Sequence, residues 1–177
     1  HGTLHGVGVG PGDPELITLK ALRILQSAPV IAWPAPLQGD SMARAIAAPH
    51  IDARNPGDEP VEIAIRMPMV AERFPAQNVY DDAARDIANH LDAGRDVAVL
   101  CEGDPFFYGS FMYLFGRLAE HYPVEVTPGI SSLTASAAAL AAPLAARNDV
   151  LSVLPAPLPE TELKQHLQDS DAVAIIK

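Results

Sequence analysis

Five consecutive apolar residues, 97–101 (VAVLC), run directly into the acidic turn Glu102-Gly103-Asp104-Pro105. A strand without a polar side chain is typical of a parallel sheet that is covered by helices on both faces. In open α/β sheets, ligands bind beyond the carboxyl ends of the strands, which is where this turn lies. The segment therefore predicts a parallel α/β sheet and marks residues 102–110 as a candidate binding loop.

Strand-like and helix-like segments alternate around this segment. Residues 61–67 alternate apolar and polar side chains, as in a half-buried strand. Residues 78–93 carry apolar side chains at four-residue steps and stop at Gly94, as in an amphipathic helix. Such alternation predicts an α/β architecture. The predicted strands are 4–9, 28–33, 61–67 and 97–101, and the predicted helices are 15–27, 41–48, 78–93 and 111–118.

Residues with strong local preferences set the expected ends of these elements. Asp13 is a favoured N-cap and Pro14 suits a first helical position, so the first helix is expected to begin there. Pro34 is expected to stop the second strand, and Pro49 is expected to lie beyond the end of the second helix.

The pattern restarts around Tyr122-Pro123. From there the predicted order is a strand (124–126), a helix (131–141), a strand (150–154), a helix (160–168) and a strand (172–176). No further element follows to cover the last strand. The sequence therefore predicts a complete N-terminal α/β domain at 1–121 and an incomplete C-terminal α/β domain at 122–177.

Three polar loops follow predicted strands: the first loop (10–14), the second loop (102–110) and the third loop (127–132). Because the carboxyl ends of parallel strands share one edge of a sheet, the three loops are expected to converge. The first loop fails both the dinucleotide fingerprint and the Walker pattern, so alone it indicates only a Gly/Pro turn.

The residues of the second loop each allow two interpretations. Asp104 suits either a contact with a ligand's ammonium or hydroxyl groups or an Asx cap of its own turn. The aromatic side chains of Phe106, Phe107 and Tyr108 suit either stacking on a flat ligand or packing in the core. Cys101 is interpreted as a buried, unreactive thiol.

Composition excludes several classes of function. The net charge of −10, without a run of Lys or Arg, argues against nucleic acid as a partner. The six histidines are scattered and the single cysteine forms no cluster, so no metal site is expected. No apolar stretch is long enough for a membrane span, and no secretory signal is seen. A cytoplasmic location fits the lone cysteine.

Three segments together carry a family resemblance. They are GVGVGPGDPELITLKALRIL, VAVLCEGDPFFYGSFMYLFGRL and VEVTPGISSLTASAAALAAPLAARND. In this order and spacing they resemble the tetrapyrrole methylases, the class III S-adenosylmethionine-dependent methyltransferases of corrin and sirohaem synthesis. The resemblance spans nearly all of the chain.

The resemblance implies a fold, a cofactor and an assembly. The family has two α/β domains with S-adenosylmethionine in the cleft between them, becoming S-adenosylhomocysteine after transfer, and its members are usually homodimers. By motif, the implied cofactor-binding residues are Pro11, Glu102, Gly103, Asp104, Phe107, Ser131 and Ser132.

The resemblance also implies an activity. The second segment, with IRMPM at 65–69, is most similar to members that methylate precorrin-2 at C-20 to give precorrin-3A in cobalamin synthesis. Methylation of uroporphyrinogen III, the cobalt version of the C-20 reaction, and a non-catalytic cofactor-binding remnant are the alternatives. Glu102 and Tyr108 are the candidate bases. The candidate partners for substrate carboxylates are Arg66, Arg117 and Arg147.

Overall fold

In the computed structural model, which describes residues 1–68 and 77–176, the chain divides into two compact units, His1–Ser131 and Ser132–Lys177. The division falls after residue 131 rather than after residue 121. The reason is that the strand Val124–Thr127, predicted to open the second domain, pairs with the first strand of the chain. Met69, the last residue of the IRMPM motif, lies outside the described residues.

The first unit is built from alternating strands and helices, and this confirms the predicted α/β class. Its strands are β1 (Leu4–Gly8), β2 (Val30–Pro36), β3 (Val61–Met67), β4 (Val97–Cys101) and β5 (Val124–Thr127). Its helices are α1 (Leu19–Ser27), α2 (Met42–Ile51), α3 (Gln77–Asp92) and α4 (Phe111–Leu118), with a short 3-10 helix at Pro14–Leu16.

The five strands form one parallel sheet in the order β3-β2-β4-β1-β5. β4, β1 and β5 therefore lie side by side, with Gly8 opposite Cys101 and Val7 opposite Thr127. This arrangement brings the three loops that follow these strands to one edge of the sheet.

Helices cover both faces of the sheet, as the all-apolar β4 predicted. One core joins the sheet to α3 and α4 and includes Tyr80, Ile87 and Phe111. The other joins it to α1 and α2 and includes Leu25 and Ile46. All five residues of β4 are buried, since alternate side chains enter opposite cores.

The start of α1 differs from the prediction. Asp13 accepts a hydrogen bond from the Glu15 N–H, but it caps only the 3-10 helix. Ile17 and Thr18 are then extended, and the Thr18 hydroxyl caps α1 by accepting from the Ala21 N–H at 3.2 Å. The prediction missed this second cap because Asp13-Pro14 is the stronger local signal.

Neither Pro34 nor Pro49 ends its element. The Val61 N–H of β3 donates to the carbonyl of Pro29, an odd-numbered residue next to β2. Because alternate residues of a strand direct their N–H and C=O groups to opposite sides, the odd-numbered residues of β2 direct theirs toward β3. Pro34 is even-numbered, so its nitrogen is directed away from β3. On that side the pairing with β4 stops at Ala32, so Pro34 removes no ladder hydrogen bond. α2 likewise continues through Pro49 to Ile51.

The second unit has its own small sheet. Its elements are α5 (Ser132–Leu140), β6 (Leu151–Pro155), α6 (Glu160–Asp169) and β7 (Ala172–Ile176). β6 and β7 pair in parallel, which confirms the two predicted strands. Leu154 is buried, whereas Ile175 of β7 is 55% exposed.

Candidate functional site

The first and second loops are joined directly at the carboxyl edge of the sheet. Gly10 and Gly103 form an antiparallel bridge in which the Gly103 N–H donates to the Gly10 carbonyl at 2.8 Å and the Gly10 N–H donates back at 3.3 Å. The Val9 N–H donates to the Cys101 carbonyl at 2.9 Å and continues the ladder into the bridge. The predicted convergence of these two loops is confirmed.

Glycines also allow the third loop to approach the second loop closely at the carboxyl edge of the sheet. A Cβ on Gly129 would lie 1.9 Å from the Gly103 carbonyl oxygen, and a Cβ on Gly8 would lie 2.6 Å from that oxygen and from the Gly129 nitrogen. No larger residue fits at Gly8 or Gly129 without moving backbone, and together with Gly103 these residues form the glycine junction. Gly103 also has φ of 62°, where glycine is favoured.

The carboxylate of Asp104 links the second loop to the third. Its Oδ1 accepts from the Phe106 N–H at 2.9 Å, and its Oδ2 accepts from the Gly129 N–H at 3.0 Å. The first bond is the Asx turn that the sequence allowed; the second was not foreseen, because it joins residues 25 positions apart. Asp104 thus fixes the second loop to the third at the carboxyl edge of the sheet, where the three loops together form what we call the loop edge. A carboxylate has about four acceptor sites, so capacity remains for a ligand.

Two aromatic residues of the second loop, Phe106 and Phe107, both keep exposed surface, and one of them also packs on a helix. The Phe106 ring lies against Phe111 and Phe115 of α4, with ring centroids 5.8 and 5.2 Å away, yet stays half exposed. Phe107 is 37% exposed and contacts the Tyr108 ring edge-on at 5.1 Å. Phe106 therefore packs on α4 with part of its ring, and both Phe106 and Phe107 keep surface that a flat ligand can contact.

Two further residues of the second loop, Tyr108 and Glu102, carry ionisable side chains. Tyr108 has φ of 54°, in the left-handed region that bulky residues rarely adopt, and such strain concentrates at binding sites. Glu102 is exposed immediately after β4 and gives the edge a carboxylate. Both were candidate bases, and the structure places both in the loop that faces the edge.

The first and third loops complete the edge. Pro11 is half-buried, and Gly12, with φ of 152°, has nothing within 4 Å of the position its Cβ would take. Ser131 ends the first unit, and Ser132 is the first residue of α5 in the second unit. The edge of the first unit is thus acidic and rich in approachable backbone, properties that suit a cationic ligand with hydroxyl groups.

The two predicted arginines of the first unit, Arg66 and Arg117, have different hydrogen-bond partners. Arg66 lies on β3, and its Nη1 donates to the carbonyls of Pro36 and Gly39, both at 2.9 Å. It lines a groove of about 290 Å³ beside α2. Trp33 and Arg44 also line this groove, and neither was a predicted site residue. The guanidinium of Arg44 lies 5.5 Å from the centroid of the Trp33 ring. No short motif marks either residue.

Arg117 is held between two helices. Its Nε donates to Asp81 at 2.6 Å, its Nη1 to the Tyr113 carbonyl at 2.8 Å and its Nη2 to the Gln77 side chain at 2.8 Å. All three nitrogens thus bond to α3 or α4, which gives Arg117 a role in holding the two helices together; its role in binding substrate stays a prediction.

Arg147 is exposed in the second unit, with φ of 46°. Asp149 accepts from the Ala146 N–H at 2.7 Å, and none of the ion pairs among the described residues joins it to Arg147. The structure therefore leaves the proposed role of Arg147 as an expectation.

Burial makes Cys101 unreactive. Desolvation raises the pKa of its thiol to about 12, so it is protonated at neutral pH. Across residues 1–68 and 77–176, no group of three or more His, Cys, Asp or Glu side chains could hold a metal ion. No helix in this same part of the chain has the length and apolar character of a membrane span.

Comparison with known protein families gives a match over almost the whole chain. The model of the tetrapyrrole (corrin/porphyrin) methylases matches residues 3–177. The curated relatives include a cobalamin biosynthesis protein, CobIJ, of Mycobacterium tuberculosis, which is 44% identical over 99% of this chain. This chain spans only 35% of the length of that relative.

Two further relatives have more specific names. The precorrin-2 C(20)-methyltransferase of a Sinorhizobium species is 41% identical, over 99% of this chain and 73% of its own length. The cobalt-precorrin-2 C(20)-methyltransferase of Salmonella typhimurium is 30% identical, over 100% of this chain and 73% of its own length.

Solved structures share the fold. A cobalt precorrin-4 methyltransferase, CbiF, superposes with a TM-score of 0.67 at 27% identity, over 98% of this chain and 68% of its own. A uroporphyrin-III C-methyltransferase of Thermus thermophilus, solved with S-adenosylhomocysteine, gives a TM-score of 0.58 at 28% identity, over 89% of this chain and 57% of its own.

Proposed function

The chain belongs to the tetrapyrrole (corrin/porphyrin) methylases, and from this premise we propose that it is an S-adenosylmethionine-dependent C-methyltransferase that converts precorrin-2 to precorrin-3A in cobalamin synthesis. The observation that carries the proposal is the joined loop edge, where the Gly10–Gly103 bridge and the Asp104–Gly129 hydrogen bond assemble three predicted cofactor loops. The 41% identity to a precorrin-2 C(20)-methyltransferase supports the choice of substrate.

The loop edge fits the proposed cofactor in charge and in access. Glu102 and Asp104 provide negative charge for a sulfonium or an ammonium group, and Gly12 and Gly103 leave backbone open to a ligand. Phe107 provides an exposed ring for stacking. The proposed cofactor-binding residues are Pro11, Glu102, Gly103, Asp104, Phe107, Ser131 and Ser132.

The chemistry asks little of the protein beyond alignment. S-adenosylmethionine carries a methyl group that its sulfonium already activates. The residues of the loop edge are left to orient the reactants and exclude water, effects that account for much of the rate in such transfers. A base must also accept the proton displaced from C-20, and we assign this role to Glu102 or Tyr108. No metal is needed for either step.

The carboxylates of the substrate need cationic partners. Arg66 is the better placed of the two predicted arginines in the first unit, because it lies on β3 near the carboxyl edge of the sheet and its Nη1 is fixed by two carbonyls. Arg147 is retained as a second candidate. A cytoplasmic location is part of the same proposal, since a lone buried cysteine suits a reducing compartment.

Turnover of precorrin-2 tests the proposal. Under anaerobic conditions, with S-adenosylmethionine and a metal chelator present, we expect precorrin-3A and S-adenosylhomocysteine in equal amounts. Glu102→Gln and Tyr108→Phe identify the base, which is the residue whose loss lowers kcat while S-adenosylhomocysteine binding is kept. Because the matched relatives are longer than this chain, the protein in its full natural length is the proper sample.

Other outcomes distinguish the alternatives. Turnover only with the cobalt-loaded ring would identify the activity named for the Salmonella relative. Transfer to uroporphyrinogen III would replace the substrate but keep the methyltransferase. Cofactor binding without turnover on any of the three rings would leave a non-catalytic cofactor-binding protein.

A further inference from the structure

The first loop is held to the rest of the first unit at its two ends. At its start, Gly10 exchanges two backbone hydrogen bonds with Gly103 of the second loop, at 2.8 and 3.3 Å. At its end, the Pro14 carbonyl oxygen lies 3.2 Å from Nε2 of His50 on α2. Within the part of the chain that the structure describes, these are the hydrogen bonds that join the first loop to distant segments.

The residues between these two ends have little support of their own. Gly12 and Asp13 are exposed, and no described atom lies within 4 Å of the position that a Cβ of Gly12 would take. The Asp13 carboxylate accepts from the Glu15 N–H at 2.8 Å, which is a bond inside the adjoining 3-10 turn. The position of the loop backbone therefore depends on how its two ends are held.

The element that carries His50 is firmly packed. His50 lies in the last turn of α2 and is half-buried. Ala47, three residues earlier, and Ile51, directly after it, are both buried in the core that α2 shares with α1 and the sheet. The ring nitrogen is therefore fixed by the core, and it is in place before any ligand arrives.

The partners of this hydrogen bond determine its direction. A carbonyl oxygen only accepts, so His50 donates through its Nε2–H. The same oxygen also accepts from the Ile17 N–H at 3.3 Å, which is longer than most backbone hydrogen bonds. That bond spans three residues and stays within the turn, whereas the His50 bond spans 36 positions and fixes the turn to α2.

We propose that His50 is a positioning residue for the cofactor, because its bond to Pro14 holds the first loop in the conformation that brings Pro11 and Gly12 to the loop edge. This inference rests on the proposed function, in which the first loop binds S-adenosylmethionine. His50 acts through Pro14 and needs no contact with the cofactor. A loop that is already ordered loses less conformational entropy when its ligand binds.

Two amide variants that differ in reach test this role in the full-length protein. Glutamine places its Nε2 donor near the position of the histidine Nε2, whereas the asparagine amide ends one bond short of it. We expect His50→Asn to weaken S-adenosylhomocysteine binding about 3–10-fold in calorimetry, the effect of losing one neutral hydrogen bond. His50→Gln should bind within about 2-fold of the wild type, since it keeps that bond.

Kinetics separate positioning from catalysis. The KM for S-adenosylmethionine should rise in His50→Asn by the same factor as the dissociation constant, because the first loop contacts the cofactor equally before and during methyl transfer. The kcat of this variant should change less than about 2-fold, since His50 touches no reacting atom. Urea unfolding identifies conditions in which all three proteins are fully folded.

A second readout needs no ligand. In protein labelled with ¹⁵N-glycine, the heteronuclear NOE of Gly12 should fall in His50→Asn and keep its wild-type value in His50→Gln. The reason is that only asparagine releases the end of the first loop. Gly94, in the turn after α3, is the internal control, and its NOE should be the same in all three proteins.

The results distinguish a failure of this inference from a failure of the proposed function. A His50→Asn protein that binds S-adenosylhomocysteine as tightly as the wild type would overturn the inference, whatever its effect on the NOE. Equal weakening by both variants would overturn it too, because it would show that the ring acts by packing. A wild type that binds no cofactor would instead overturn the proposed function, and the NOE would still decide whether His50 holds the first loop.

Discussion

At the scale of single residues, Asp104 holds the second loop to the third through two backbone N–H groups. Its charge is therefore a structural requirement of the loop edge even before a ligand is considered. A sequence can suggest the local half of this role, because the Phe106 N–H is two residues away. It cannot suggest the bond to Gly129, which depends on β1 lying between β4 and β5.

Replacement of Asp104 by alanine should therefore lower stability. We expect Asp104→Ala to reduce the free energy of unfolding by about 1.5–3 kcal/mol, because two N–H groups lose a charged acceptor. Asp13→Ala is the matched control, since Asp13 accepts one exposed bond in a 3-10 turn, and it should cost less than about 1 kcal/mol. Urea unfolding followed by circular dichroism measures both. Equal losses would show that the Asp104–Gly129 bond contributes nothing.

The thiol of Cys101 should be inert until the chain unfolds. Because burial raises its pKa to about 12, iodoacetamide should not alkylate the folded protein at pH 8.5, although it alkylates the urea-unfolded chain within minutes. Above the unfolded pKa, near 9, only the unfolded chain releases this proton, so the free energy of unfolding should fall as pH rises toward 12. Mass spectrometry after a timed reaction provides the measurement. Rapid native alkylation would contradict the buried position.

At the scale of elements, the strands of the first unit lie where the sequence predicts them, but several helix and strand ends differ from the predicted ones. β3 and β4 were predicted to the residue, since their side-chain patterns are unambiguous. The start of α1 was missed because Asp13-Pro14 is a stronger local signal than Thr18, whose hydroxyl caps the helix. The extent of β2 was missed because its pairing with β3 continues past Pro34, on the side away from the proline nitrogen, and this becomes evident only in the sheet.

The glycine junction makes a sharp prediction at this scale. Gly129→Ala should destabilise the protein by about 3 kcal/mol or more, because the new Cβ would overlap the Gly103 carbonyl oxygen. Gly116→Ala is the control. Gly116 lies within α4 with nothing near its Cβ position, so alanine there should stabilise the protein by about 0.5–1 kcal/mol through helix propensity. Thermal unfolding of the two variants should shift in opposite directions, and a harmless Gly129→Ala would refute the junction.

At the scale of the whole molecule, the order of the strands explains why loops far apart in sequence belong together. β1 lies between β4 and β5, so the segments after Gly8, Cys101 and Thr127 meet at one edge. The sequence predicted this convergence from the parallel α/β pattern. It did not predict that the first unit extends to Ser131, because the strand order that recruits β5 depends on packing rather than on any local motif.

The central claim, that the joined loops bind the cofactor, is tested most directly by NMR of the protein labelled with ¹⁵N-glycine and titrated with S-adenosylhomocysteine. The twelve glycines give a spectrum simple enough to assign by substitution. We expect the amide signals of Gly10, Gly12 and Gly103 to shift on binding, while those of Gly57 and Gly94, in turns away from these loops, stay in place. Saturable binding that leaves Gly10, Gly12 and Gly103 unshifted, or no binding at all, would contradict the account.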